Sequence, residues 1–133
     1  MIIVDSSVWI DYFIGRKTQG AEKLDSLLGE ELVAIGDLML TEVLQGFRAD
    51  SDFRQARKLL LSLTIVNMLD TTIALKSAEN FRILRKKGVT VRKNIDAIIA
   101  TYCIENKYPL LHSDKDFQPF HDHFKLRNAV TDS

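Results

Sequence analysis

The chain opens with a continuous apolar run, Ile2-Ile3-Val4, stopped by the polar trio Asp5-Ser6-Ser7. A short unbroken aliphatic run is the pattern of a strand covered on both faces, and the residues after it have the composition of a helix cap. Three more brief apolar stretches follow, Leu32-Val33-Ala34-Ile35, Thr64-Ile65-Val66 and Leu110-Leu111-His112. Each is separated from the next by at least one helical segment, and that alternation predicts a parallel sheet flanked by helices.

The helical segments follow from spacing. A first helix over Val8 to Phe13 leaves the opening strand. Phe53, Ala56, Leu60 and Leu63, with Leu59 alongside, make one stripe, while Asp52, Arg54, Arg57 and Lys58 face away. From Thr72 to Lys87 the stripe is Ala74, Ala78, Phe81 and Leu84, with Asp70 or Thr71 as cap and a basic, glycine-terminated end at Lys86-Lys87-Gly88. Ile95 to Ile104 is apolar almost all round, interrupted mainly by Asp96 and Thr101, so this helix is expected to be covered on more than one side. A carboxylate there is costly unless something compensates it. There is no internal repeat or Pro/Gly/Ser-rich linker, and Pro109 and Pro119 punctuate loops, so residues 1–133 are expected to form a single domain.

Composition narrows the class. With 133 residues, 46% hydrophobic and 27% charged, the chain is globular and not intrinsically disordered. No apolar run approaches the ~20 residues of a membrane helix, and Asp5 interrupts the N-terminus too early for a signal peptide. A cytoplasmic protein with no membrane partner is expected. A lone Cys103 excludes an internal disulfide and a cysteine-rich zinc site. Eighteen Lys+Arg against eighteen Asp+Glu exclude the strongly basic surface of a nonspecific nucleic-acid coat, so a polyanion must be recognised locally.

The acids carry the candidate chemistry. Asp5 closes the first strand and Asp114 follows the last, and open α/β sheets place ligands at the carboxyl ends of their strands. Asp37 as N-cap puts Glu42 in the early turns of the helix leaving the second strand, and Asn94 as N-cap puts Asp96 in a first turn. Each acid also has a plain structural role open to it. Helix dipoles favour Glu42 and Asp96, Asp5 can cap a helix, and Asp114 and Asp116 can make Asx turns. Jointly, however, four acids near one sheet edge are tolerable only if a cation offsets them or some take up protons. An all-oxygen donor set favours Mg²⁺ or Mn²⁺.

These residues resemble those of the PIN-domain ribonucleases, and within them the VapC-type toxins of bacterial toxin–antitoxin pairs. Ile2 through Asp11, with its strand, Asp5, hydroxyl residues and Trp9, is similar to the family's first motif. Leu40-Thr41-Glu42 through Gly46-Phe47 is similar to the second, Asn94-Ile95-Asp96 through Ala100 to the third, and Leu110 through Phe117 to the last. The resemblance covers nearly the whole chain. It implies a three-layer α/β/α sandwich with a central, mainly parallel sheet, and a metal-dependent endoribonuclease. Asp5, Glu42, Asp96 and Asp114 would hold one or two Mg²⁺ or Mn²⁺ ions, ~3.5–4 Å apart where there are two, with water as the nucleophile. Ser6 would hydrogen-bond a metal-held water or a phosphate oxygen, or simply cap a helix, while Asp116 and Ser113 would support the ligands from behind. Many family members carry Thr where this chain has His112. The implied partners are RNA, a VapB-type antitoxin covering the acidic cleft, and a second copy of the chain.

Other features matter less. Arg82, Arg85, Lys86, Lys87, Arg92 and Lys93 could contact RNA phosphates or form a solvated helix end. For Trp9, Tyr12 and Phe13, core packing or dimer burial is favoured over base stacking. His121 and His123 are expected to be solvated, not zinc ligands. Ser6-Ser7 lacks a G-x-S-x-G elbow, and Cys103 reads as a buried thiol. Two alternatives remain: a receiver- or phosphatase-type phosphoryl-transfer domain, although Ser7 stands where an Asp-x-Asp pair needs its second acid, and a non-catalytic interaction module on the PIN fold.

Overall fold

The computed structural model describes residues 1–130. Its four strands, β1 (Ile2–Val4), β2 (Val33–Gly36), β3 (Thr64–Val66) and β4 (Leu110–Leu111), form one parallel sheet in the order β3-β2-β1-β4. Ile2 pairs with Val33, Ile3 with Leu110 and Ala34 with Thr64. Among the described residues the helices are α1 (Ser6–Phe13), α2 (Gln19–Leu27), α3 (Asp37–Gln45), α4 (Asp50–Leu61), α5 (Thr71–Lys86), α6 (Asn94–Asn106) and α7 (Gln118–His123), with a 3-10 turn at Lys115–Phe117. The chain steps outward from β1 through β2 to β3, then returns across the sheet to β4. Right-handed crossovers therefore put α1–α4 on one face and α5–α6 on the other. Ile3, Val4, Ala34, Ile35, Leu110 and Leu111 are fully buried between those layers, as an all-parallel sheet requires.

Several boundaries differ from the sequence reading for physical reasons. Leu32 is 56% exposed and His112 lies beyond β4, so both flanking strands are shorter than their apolar runs. Gly36, not Asp37, caps α3, and Lys93, not Asn94, caps α6. Asp37 instead accepts hydrogen bonds from the Leu38 and Met68 amides at 2.9 and 3.2 Å, tying the start of α3 to the segment after β3. A Cβ on Gly36 would lie 2.1 Å from Met68 Sδ, so only glycine lets that buried methionine close the corner.

The face of α5 is the larger surprise. Ile73, Ser77, Asn80 and Leu84 are buried, whereas Ala74 and Ala78 of the expected stripe are exposed. Asn80 Nδ2 donates to Thr101 Oγ1 at 3.1 Å inside the α5–α6 seam. A buried amide–hydroxyl pair is satisfied, so a polar seam is tolerated and the buried face is rotated from the apolar stripe, of which it keeps Leu84 and, in part, Phe81. Helix α2, to which the sequence reading gave no range, buries a short stripe of Gly20, Ala21, Leu24 and Leu27. Gly20 and Ala21 let it approach α1, and Leu24 and Leu27 anchor it behind a Thr18 cap.

Candidate active site

The build direction reverses between β1 and β4, and such a reversal opens a crevice beyond the carboxyl ends of those two strands. Asp5 leaves β1 into that crevice and caps α1. Its Oδ2 accepts from the Ser7 amide at 3.1 Å and the Ser7 hydroxyl at 2.7 Å. Ser7 Oγ in turn accepts from the Ser113 amide at 3.1 Å, which joins the exit of β1 to the exit of β4. Burial raises the Asp5 carboxyl above its usual range, the Ser7 and Ser6 hydrogen bonds oppose this, and the Asp114 charge adds to the rise.

Asp114 follows β4 and caps the 3-10 turn, accepting from the Asp116 amide at 2.9 Å. Asp96 enters from the first turn of α6. Carboxylate oxygens of Asp96, Asp114 and Asp116 all lie within 4.8 Å of one another. Asp96 is 5% exposed, and its buried Oδ2 has no hydrogen-bond partner. Burial pushes its pKa up to about 6, with Lys93 opposing and Asp114, Asp5 and Asp116 adding. Glu42, half-buried on α3, is raised by burial and then by Asp5, while Lys93 and a hydrogen bond from Ser6 lower it.

The structure thus brings Asp5, Glu42, Asp96 and Asp114 into one electrostatic neighbourhood, with a different inner grouping from that expected. Asp116 stands within chelating reach of Asp96 and Asp114, while Asp5 and Glu42 flank them. Ser6 meets Glu42, and Ser113 acts through its backbone. Ser7 holds Asp5 and Ser113 together, a role the sequence reading did not give it because the Ser113 contact joins segments 106 residues apart.

The basic cluster divides. Lys93 Nζ lies 3.6 Å from Asp114 Oδ2 and 3.9 Å from Asp116 Oδ2, and Arg92 Nη1 lies 3.9 Å from Asp116 Oδ1. Arg82 and Arg85 line a groove between α5 and α6 instead, with Arg85 over the Phe81 ring. Lys86 is exposed at the end of α5. Trp9 is fully buried and stacked on Phe13, so it is core.

His121 is not solvated as expected, whereas His123 is exposed. His121 Nδ1 is 2.9 Å from the Leu126 carbonyl, which can only accept, so that nitrogen carries the proton. His121 Nε2 then accepts from His112 Nε2 at 2.8 Å, leaving His112 Nδ1 to accept the Asp114 amide at 3.2 Å. Burial, then His121, lowers the His112 pKa to about 4, so His112 serves as a neutral strut behind Asp114.

Three carboxylates converging on one space, one of them with an orphaned buried oxygen, fit a hard divalent cation. Such an ion supplies the missing partner and cancels the mutual repulsion. Cys103 is sealed in the core with its thiol pushed up by burial, and offers no nucleophile.

The PIN domain family profile matches residues 2–120. Among curated proteins, the VapC ribonuclease Mb1587 of Mycobacterium bovis is 30% identical over 119 residues, which span 88% of this chain and 89% of that protein. Among solved structures, a VapBC2 complex from Rickettsia felis bound to promoter DNA superposes with a TM-score of 0.74 at 19% identity, covering 96% of this chain and 97% of that one. VapBC-1 from nontypeable Haemophilus influenzae gives a TM-score of 0.71 at 22% identity, covering 96% of both chains. At those identities the structural likeness speaks for the fold.

Proposed function

Because the chain belongs to the PIN-domain family, we propose that it is the endoribonuclease toxin of a VapBC-type pair, hydrolysing RNA phosphodiester bonds with Mg²⁺ or Mn²⁺. The observation that carries this reading is the unpartnered Asp96 oxygen inside the carboxylate triad. Asp96, Asp114 and Asp116 would hold a divalent ion, and Asp5 and Glu42 extend the acidic space toward a second. When bound, the ion supplies Lewis acidity to a water nucleophile and to the phosphate oxygens.

The chain's own residues do the rest. Ser7 pins Asp5 while His112 holds the backbone of Asp114. With a pKa of about 6, Asp96 is ionised at neutral pH and ready to coordinate. Ser6, bonded to Glu42, sits where a hydroxyl could orient water or a phosphate oxygen. Arg82, Arg85, Lys86, Arg92 and Lys93 offer cations to phosphates flanking the cut. Setting aside the four acids first read as ligands leaves the rest of the chain net positive, which suits a polyanion despite overall neutrality.

The family and the VapBC-like fold support a VapB-type antitoxin and a homodimer as partners, in the cytoplasm. Among the described residues, no helix is long and apolar enough to cross a membrane. The test is cleavage of RNA by the purified chain, freed of any partner, with Mn²⁺ and with EDTA. Wild type should cut only with metal, and Asp5→Asn should not cut while keeping the melting temperature near normal. Undiminished metal-dependent cleavage by Asp5→Asn would overturn the assignment. Co-purification and light scattering check the partner and the dimer.

A further inference from the structure

Lys93 occupies a position its charge does not favour. It is the N-cap of α6, where the helix dipole repels cations and short polar side chains are preferred, and it makes no side-chain capping bond. It closes residues 89–93, a segment without regular structure. The acids hold its ammonium there: Asp114 at 3.6 Å and Asp116 at 3.9 Å, with Asp96 and Glu42 close enough to respond to it. In the metal-free protein Lys93, with Arg92 beside Asp116, is therefore the cation that does most to make the carboxylates tolerable. Its side chain is 56% exposed on a four-carbon stem, so it can leave without disturbing the core.

We propose that Lys93 is an internal counter-cation that gives up Asp114 and Asp116 to the incoming divalent ion and then pairs with a phosphate of the RNA strand at the same cleft. The inference rests on the metal-dependent nuclease reading above. Once the carboxylates are neutralised, Lys93 is repelled by both the bound ion and the helix N-terminus. The nearest new source of negative charge is a phosphate entering the cleft. One residue thus weakens metal binding and strengthens substrate binding.

The test is Mn²⁺ titration by calorimetry on the wild-type chain, Lys93→Met and Lys93→Arg, followed by RNA cleavage at saturating Mn²⁺. Lys93→Met should bind Mn²⁺ roughly 3- to 10-fold more tightly, the range expected for releasing one or two half-exposed ion pairs. The same variant should lose about tenfold in kcat/KM, mainly through a higher KM, as for a lost charge-assisted phosphate contact. Lys93→Arg should stay near wild type in both measurements, and Lys87→Met, at the end of α5, should leave Mn²⁺ affinity unchanged. A merely structural role would not move affinity and turnover in opposite directions. Equal or weaker Mn²⁺ binding by Lys93→Met, with wild type binding normally, would overturn the displacement alone. No Mn²⁺ binding by wild type would overturn the metal reading and this inference with it.

Discussion

Asp96 shows how a buried, unpartnered carboxylate weakens the fold around it. Its carboxyl is buried, one oxygen is unpartnered, and its pKa is raised to about 6. A raised carboxyl pKa means that its stabilising contribution is complete below the ordinary value near 3.8 and is lost as pH rises through about 6. In EDTA, Asp96→Asn should therefore melt higher than wild type at neutral pH, and the advantage should shrink toward about pH 4, checked by circular dichroism across pH. A neutral-pH variant no more stable than wild type would contradict this. The same ionisation should make Mn²⁺ affinity, followed by titration, fall as pH drops below about 6. That Asp5, Glu42, Asp96 and Asp114 gather could be anticipated from the sequence because Asp5, Asp96 and Asp114 sit at strand or helix boundaries and Glu42 on the helix leaving β2. The places that Asp116, Lys93 and His121 take could not, since they depend on which loops meet beyond β4, and no local periodicity reports that.

At the level of elements, the strands and the outlines of α4, α5 and α6 followed from apolar runs and stripes, while caps and faces did not. Gly36 is at once the last residue of β2, the cap of α3 and the floor beneath Met68, where the sequence had offered Asp37 as the cap. Gly36→Ala should cost about 1–3 kcal/mol through overpacking, measured by urea unfolding. A neutral result would mean that the corner repacks freely. Helix α6 ends on Lys107 at a φ of 59°, in the left-handed region that favours glycine. Lys107→Gly should stabilise the protein by about 0.5–1 kcal/mol, because the Arg127 guanidinium bonds the Lys107 backbone carbonyl and not its side chain. Loss of stability there would show that the side chain contributes more than its strained backbone costs. The rotated face of α5 has its origin in a seam made of Ser77, Asn80 and Thr101, which carries little hydrophobic signal.

Across the whole molecule, alternating strands and helices, together with right-handed crossovers, were enough to anticipate a parallel α/β sheet, but not which strand pair would border the crevice. That depends on the return from β3 to β4, which sets Asp114 beside Asp5 although 109 residues separate them. Charge follows the same logic: a chain with no net charge gathers its acids at the sheet edge and compensates them with Arg92 and Lys93. The central claim is that this gathering exists to bind a divalent ion, and the most direct test is anomalous diffraction from crystals of the metal-depleted protein soaked in Mn²⁺. The expected result is a Mn²⁺ peak bounded by the carboxylates of Asp96, Asp114 and Asp116, with Lys93 moved away. Full diffraction from soaked crystals with no peak at that position, or with Mn²⁺ bound only elsewhere, would contradict the account.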